Sequence, residues 1–160
     1  MTKLANMLGS NYEKSRQEIR IRKFELGGHI FKVRIPLVAE TDVIYHRILN
    51  PLEDRIQKIY EETTSSLMEF KDQESAGFEF TENDILISGR SMREAAKTKA
   101  MTEARITEYI HLLVPENPEN SLEEITYADI EAEWPMSVQI ALVEKIGEAI
   151  SPTYKETKGN

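Results

Sequence analysis

Apolar and polar residues alternate along this chain in two different rhythms. Between Arg20 and Ile35, Phe24, Leu26, Phe31, Val33 and Ile35 fall on one side of the alternation and Lys23, Glu25, Lys32 and Arg34 on the other. A period of two puts successive side chains on opposite faces of a strand. Gly27-Gly28 lies between the two runs and supplies the positive φ angles of a two-residue hairpin turn. That turn sets the register: Phe24 faces Phe31, Leu26 faces His29, and Lys23 comes out directly opposite Lys32. Two like charges in that position are unfavourable unless an acidic surface lies nearby, so the polar face reads either as a solvated sheet surface or as a docking strip.

After Pro36 the spacing changes to threes and fours. Tyr45, Leu49, Leu52, Ile56, Ile59, Thr63, Ser66 and Phe70 make a helical stripe, widened by Ile48, Tyr60 and Leu67, that faces a core or a partner. Asn50-Pro51 interrupts it, with Asn50 placed to cap a new helix and Pro51 at its first position. Phe78 to Phe80 and Ile85 to Ile87 are short β-rich runs that could extend the first hairpin. The longest helical pattern runs from Gly89 to Pro115, with Ser91 and Glu94 spaced as a capping box. Its first half is rich in alanine (Ala95, Ala96, Ala100, Ala104) and its second half is large and apolar. Lys99 and Glu103 fall in line with Met92, Ala96, Ile106 and Ile110, on the face expected to be buried. Either both heads reach water along their stems, or they make a polar contact with another chain.

Two more starts follow, at Ser121 and Thr126, leading to a short acidic helix that stops at Trp134-Pro135. A last helix carries Val138, Leu142, Ile146, Ala149 and Ile150 on one face. The expected fold is therefore mainly α with a small antiparallel β component. A mobile arm over 1–18 precedes a single α-rich domain over 19–150, opened by the hairpin, and a polar tail over 151–160 closes the chain.

Composition narrows the function. A formal charge of −8 argues against broad nucleic-acid binding, because phosphate affinity comes from Lys and Arg. The charge is also polarised: Lys14 to Arg34 holds seven basic residues against two acidic ones, whereas Ile106 to Glu144 holds nine acidic residues and no Lys or Arg. No apolar run approaches the ~18 residues needed to span a bilayer, and the N-terminus lacks the apolar core of a signal peptide. The absence of cysteine excludes disulfides, thiolate zinc sites and cysteine nucleophiles. His29, His46 and His111 sit in separate elements without metal-ligand spacing, and no phosphate loop, GxGxxG or GxSxG motif occurs. These patterns point away from an enzyme and call for no cofactor or metal.

Three stretches carry a resemblance: FELGGHIFKVRIPLVAE (Phe24 to Glu40), DILISGRSMREAA running on to RITEYIHLLVP (Asp84 to Pro115), and EWPMSVQIALVEKIGEAI (Glu133 to Ile150). In their order and spacing they resemble the tail assembly chaperones of long-tailed bacteriophages. The resemblance implies a small, mainly helical, non-enzymatic protein of the host cell cytoplasm, absent from the finished virion. Such proteins coat the tape measure protein and help bring the major tail tube protein to it. They commonly have a second, longer product made by ribosomal frameshifting.

With that function in view, the residues suggest two contacts. Lys23, Lys32 and Arg34 of the hairpin are expected to meet Glu123, Glu124, Asp129 and Glu131 of a neighbouring copy, with Lys99 and Glu103 as a further self-association surface. Trp134, Met136, Val138, Leu142 and Ile146 are expected to hold helices of the client. Two alternatives belong to other classes: a structural tail or connector subunit of the virion, and an acidic inhibitor that mimics nucleic acid. Neither a membrane nor a nucleic-acid partner is expected.

Overall fold

The computed structural model describes residues 2–71 and 77–151; the expected tail over 151–160 lies, beyond Ser151, outside the described residues. The elements run α1 (Lys3–Leu8), α2 (Ser10–Ile19), β1 (Ile21–Leu26), β2 (His29–Arg34), α3 (Val38–Leu49), α4 (Glu53–Thr64), β3 (Phe78–Phe80), β4 (Ile85–Ile87), β5 (Arg90–Ser91), α5 (Met92–Ile110), α6 (Tyr127–Glu133) and α7 (Met136–Ile150). Short 3₁₀ turns occupy Ser65–Phe70 and Leu122–Glu124. The chain is mainly α-helical with a small antiparallel β component, as the periodicity predicts. It divides into two compact units: Met1–Asp42 with Ile106–Asn160, and Val43–Arg105. Both boundaries fall inside helices, α3 and α5, so no Gly- or Pro-rich linker marks them in the sequence.

In the first of these units, the expected arm over 1–18 is helical. Thr2 caps α1 by accepting a hydrogen bond from the Ala5 N–H at 3.2 Å, and Gly9, at φ 97°, turns the chain into α2. Helix α2 buries no residue, and a helix without an apolar stripe leaves little periodic signal. The hairpin forms in the predicted register, with Phe24 opposite Phe31 and Lys23 opposite Lys32. Gly27 and Gly28 hold φ at 61° and 82° in its turn.

The hairpin is not extended by β3 and β4, which pair with β5 in a separate three-stranded sheet. Its third partner is the chain just after α5. The Arg34 N–H donates to the Leu112 carbonyl and the Val114 N–H to the Lys32 carbonyl, both at 2.8 Å. The predicted helix over Gly89 to Pro115 thus gives up its last residues to pair with β2. Helix α7 packs against both strands, and Val33, Ile110, Leu112, Ile130, Leu142 and Ile146 are buried in this unit.

In the Val43–Arg105 unit, Ile56 and Ile59 of α4 pack with Ala96 and Ala100 of α5, with Tyr60 alongside. Two alanines of the small-residue ribbon, Ala96 and Ala100, thus lie on the buried side of α5, against the larger isoleucines of α4. The stripe expected to run from Tyr45 to Phe70 is not continuous. Ile44 and Ile48 are buried on α3 while Tyr45, Leu49 and Leu52 are exposed. Asn50 explains the slip: its side chain donates to the His46 carbonyl at 2.9 Å, closing α3 instead of capping α4. Helix α4 starts only at Glu53, so the helical phase does not carry through Pro51.

Candidate interaction surfaces

The basic groups of the hairpin and its flank are not equivalent. Arg34 Nη1 lies 2.6 Å from Glu40 Oε2 and Arg20 Nη2 lies 3.1 Å from Oε1. The Leu37 N–H also points at this carboxylate, at 3.5 Å. Burial pushes the Glu40 carboxyl upward, but the hydrogen bond and charge of Arg34, with Leu37 and Arg20 behind them, hold it below the ordinary carboxylate range. Arg34, expected to reach a neighbouring copy, is therefore engaged inside its own unit. Lys23 and Lys32 remain exposed and opposite each other.

The acidic segment is similarly thinned. Asp129 completes a capping box with Thr126 at the start of α6, accepting from the Thr126 N–H at 2.9 Å and its hydroxyl at 3.0 Å. Those two bonds lower its carboxyl below the ordinary value. Glu123, Glu124 and Glu131 are exposed, so of the four acids expected to meet a neighbour Asp129 is the one engaged in a cap.

Helix α7 corrects the expected client site. Leu142 and Ile146 are fully buried, at 0% exposure, because they lie on the side of the helix turned to the core. Gln139 shares that side. Its Nε2 donates to the Trp134 carbonyl at 2.8 Å and its Oε1 accepts from the Tyr127 hydroxyl at 2.9 Å, so a buried amide is satisfied at both ends. Trp134 and Val138 are half-buried. Met136 and Ile140, one turn apart, are 48% and 49% exposed. An apolar face drawn through Val138, Leu142 and Ile146 misses Ile140; its i+4 spacing from Met136 is the signal that marks it.

In the Val43–Arg105 unit, the conflict on α5 resolves within the chain. Glu103 is buried and takes a bidentate ion pair from Arg55, with Nε to Oε2 and Nη2 to Oε1 both at 2.8 Å. Lys99 is exposed, since the buried stripe passes through Ala100 instead. Neither position is thus a polar group stranded on an inward face. At the start of α5, Asp84 accepts from the Ile85 and Arg93 N–H groups at 2.8 and 3.0 Å and from the Ser91 hydroxyl. Burial raises this carboxyl, and the bonds from Ser91, Arg93 and Ile85 outweigh that and lower it. Ser91 also caps the helix, accepting from the Glu94 N–H at 3.1 Å. A groove of about 570 Å³ beside it is lined by Tyr60, Met68, Phe80 and Arg93 among others, with the Arg93 guanidinium 4.1 Å above the Tyr60 ring.

The histidines have structural surroundings: His29 packs edge-on against Phe31, His46 lies beside Asn50, and His111 Nε2 sits 2.7 Å from the Ile125 carbonyl. Among the described residues, no three His, Asp or Glu side chains are grouped to hold a metal ion. No described helix is long and apolar enough to cross a membrane. Comparison with known protein families, curated proteins and solved structures finds no match.

Proposed function

We propose that this chain is a non-enzymatic tail assembly chaperone of a long-tailed bacteriophage, acting in the host cell cytoplasm and left out of the mature virion. It covers the tape measure protein and helps recruit the major tail tube protein. The order of the three resembling stretches supports this reading. The observation that carries it furthest is the apolar surface left open on helices: Met136 and Ile140 on α7, and Leu4, Met7 and Leu8 on α1. Neighbouring large apolar side chains held in water mark a surface that another chain covers. An amphipathic client helix laid on such side chains is recognised through anchors at helical spacing.

Coexpression with the tape measure protein tests the proposal. The wild-type chain should keep the client soluble, and a Met136→Glu/Ile140→Glu variant with an unchanged circular dichroism spectrum should not. Equal solubilisation by both would remove α7 as the client site, and a client insoluble with either would remove the chaperone reading. Recovery of the chain in purified particles would favour a virion subunit instead.

A further inference from the structure

The edge of the hairpin carries a self-complementary pattern. The Ile35 N–H donates to the Arg20 carbonyl at 2.6 Å. In an antiparallel ladder, hydrogen-bonded pairs alternate with non-bonded ones. Arg22 with Val33, Phe24 with Phe31 and Leu26 with His29 are therefore the bonded pairs of this register. The backbone N–H and C=O groups of Ile21, Lys23 and Glu25 consequently point away from β2. Among the described residues, no backbone group is bonded to them. The opposite edge of the hairpin, at Lys32 and Arg34, is by contrast paired with Leu112 and Val114.

We propose that the open edge of β1 pairs antiparallel with the same edge of a second copy of this chain, about a two-fold axis at Phe24. An exposed strand edge is a template for another strand, and sequences usually blunt it with proline, a bulge or an uncompensated lysine. Here β1 has no proline and pairs with β2 residue for residue, and its lysine comes with an acid two residues on. Because only the outward-pointing residues can exchange backbone bonds, three registers pair Lys23 and Glu25 among themselves, and the two others set Ile21 opposite Ile21 or Lys23 and join no opposite charges. Lys23 opposite Lys23, or Glu25 opposite Glu25, sets like charges face to face. The third places Lys23 opposite Glu25 of the second copy and Glu25 opposite its Lys23, with the two Phe24 rings meeting at the centre on the other face. Only this register joins opposite charges at both bonded pairs.

The same register answers the clash inside the hairpin. Lys23 stands beside Lys32, and Glu25 of the second copy would stand on its other side. The contact is isologous, so it closes as a dimer. It does not depend on the chaperone reading, and it differs from a contact between the lysines and a neighbour's acidic segment.

Sedimentation velocity across a concentration series distinguishes these. The wild-type chain should dimerise, and Lys23→Glu and Glu25→Lys should each raise the dissociation constant about tenfold, since each turns both charge pairs repulsive. An equimolar mixture of the two variants should recover association, because each then supplies the charge the other lacks. A monomeric wild type, single variants that dimerise normally, or a mixture no better than its components would overturn the proposal. Glu25→Lys strengthening association while Lys23→Glu weakens it would place the acidic segment there instead. Hydrogen exchange on the wild-type chain gives a readout free of substitutions. The Lys23 and Glu25 amides should become protected as concentration rises, whereas the Phe24 amide, bonded within the hairpin, should not change; concentration-independent exchange at Lys23 and Glu25 would also overturn it.

Discussion

Replacing Arg55 with methionine should destabilise the Val43–Arg105 unit by about 2 kcal/mol, and replacing Arg55 and Glu103 together should cost much less. The pair is bidentate, with both bonds at 2.8 Å. Its halves are unequally covered, the Glu103 side chain being 8% exposed and that of Arg55 37%. Breaking a fully buried pair by removing one partner costs roughly 3–5 kcal/mol, because a charge is left buried and uncompensated. Water already reaches Arg55 and would partly solvate the Glu103 carboxylate in its absence, which reduces the figure to about 2 kcal/mol. For a chain of this size that lowers the midpoint of thermal unfolding by roughly 4–8 °C. Methionine at both positions leaves no buried charge and keeps most of the volume, so the double variant should stay within about 1 kcal/mol of wild type. Differential scanning calorimetry on the four proteins of the cycle measures both quantities. An Arg55→Met variant indistinguishable from wild type, or a double variant as unstable as the single, would refute the reasoning.

Leu142→Ala should cost about 2–5 kcal/mol, measured by urea unfolding, because the side chain is wholly buried and its removal leaves a cavity; Met136→Glu, in the open, should change stability by no more than about 0.5 kcal/mol. Glu40 is held below its ordinary value of 4.5, so its contribution is complete above that pH and is lost as pH falls through the lower folded value. Acid titration followed by circular dichroism should accordingly show a shallower loss of stability on the acid side for Glu40→Gln than for wild type. Gly27→Ala or Gly28→Ala forces a side chain onto a positive φ and should each destabilise the hairpin by about 1–2 kcal/mol, read as faster exchange of the β1 and β2 amides.

The two rhythms of the chain translate into structure with different fidelity. A two-residue glycine turn leaves one register for the strands it joins, so Lys23 opposite Lys32 follows from the turn and the alternation alone. Helices are legible where an apolar stripe meets a core, as on α4 and α5, and illegible where none exists, as on α2. The stripe across Asn50-Pro51 misleads because a side chain closing the preceding helix and one capping the next draw on the same amide. A client face on α7 drawn through the most apolar residues fails for a related reason, since these are what the core takes first. What remains outside is the pair one turn apart on the other side, Met136 and Ile140.

By itself, then, the sequence determines the local elements: the hairpin and its register, the caps at Ser91 and Thr126, the alanine ribbon, and the polarity of charge along the chain. Each depends on residues close together in the chain, whose geometry is fixed by backbone sterics and short-range hydrogen bonds. Tertiary structure decides which charges are spent. Arg34 and Arg20 meet Glu40, and Arg55 finds Glu103 from 48 residues away; a formal charge count cannot separate such paired groups from those left in water. It also decides that residues 112–114 leave the helical pattern to pair with β2, covering one edge of the hairpin. Backbone groups must be satisfied wherever they are buried, and which segment supplies the partner is settled only when the chain has folded back on itself.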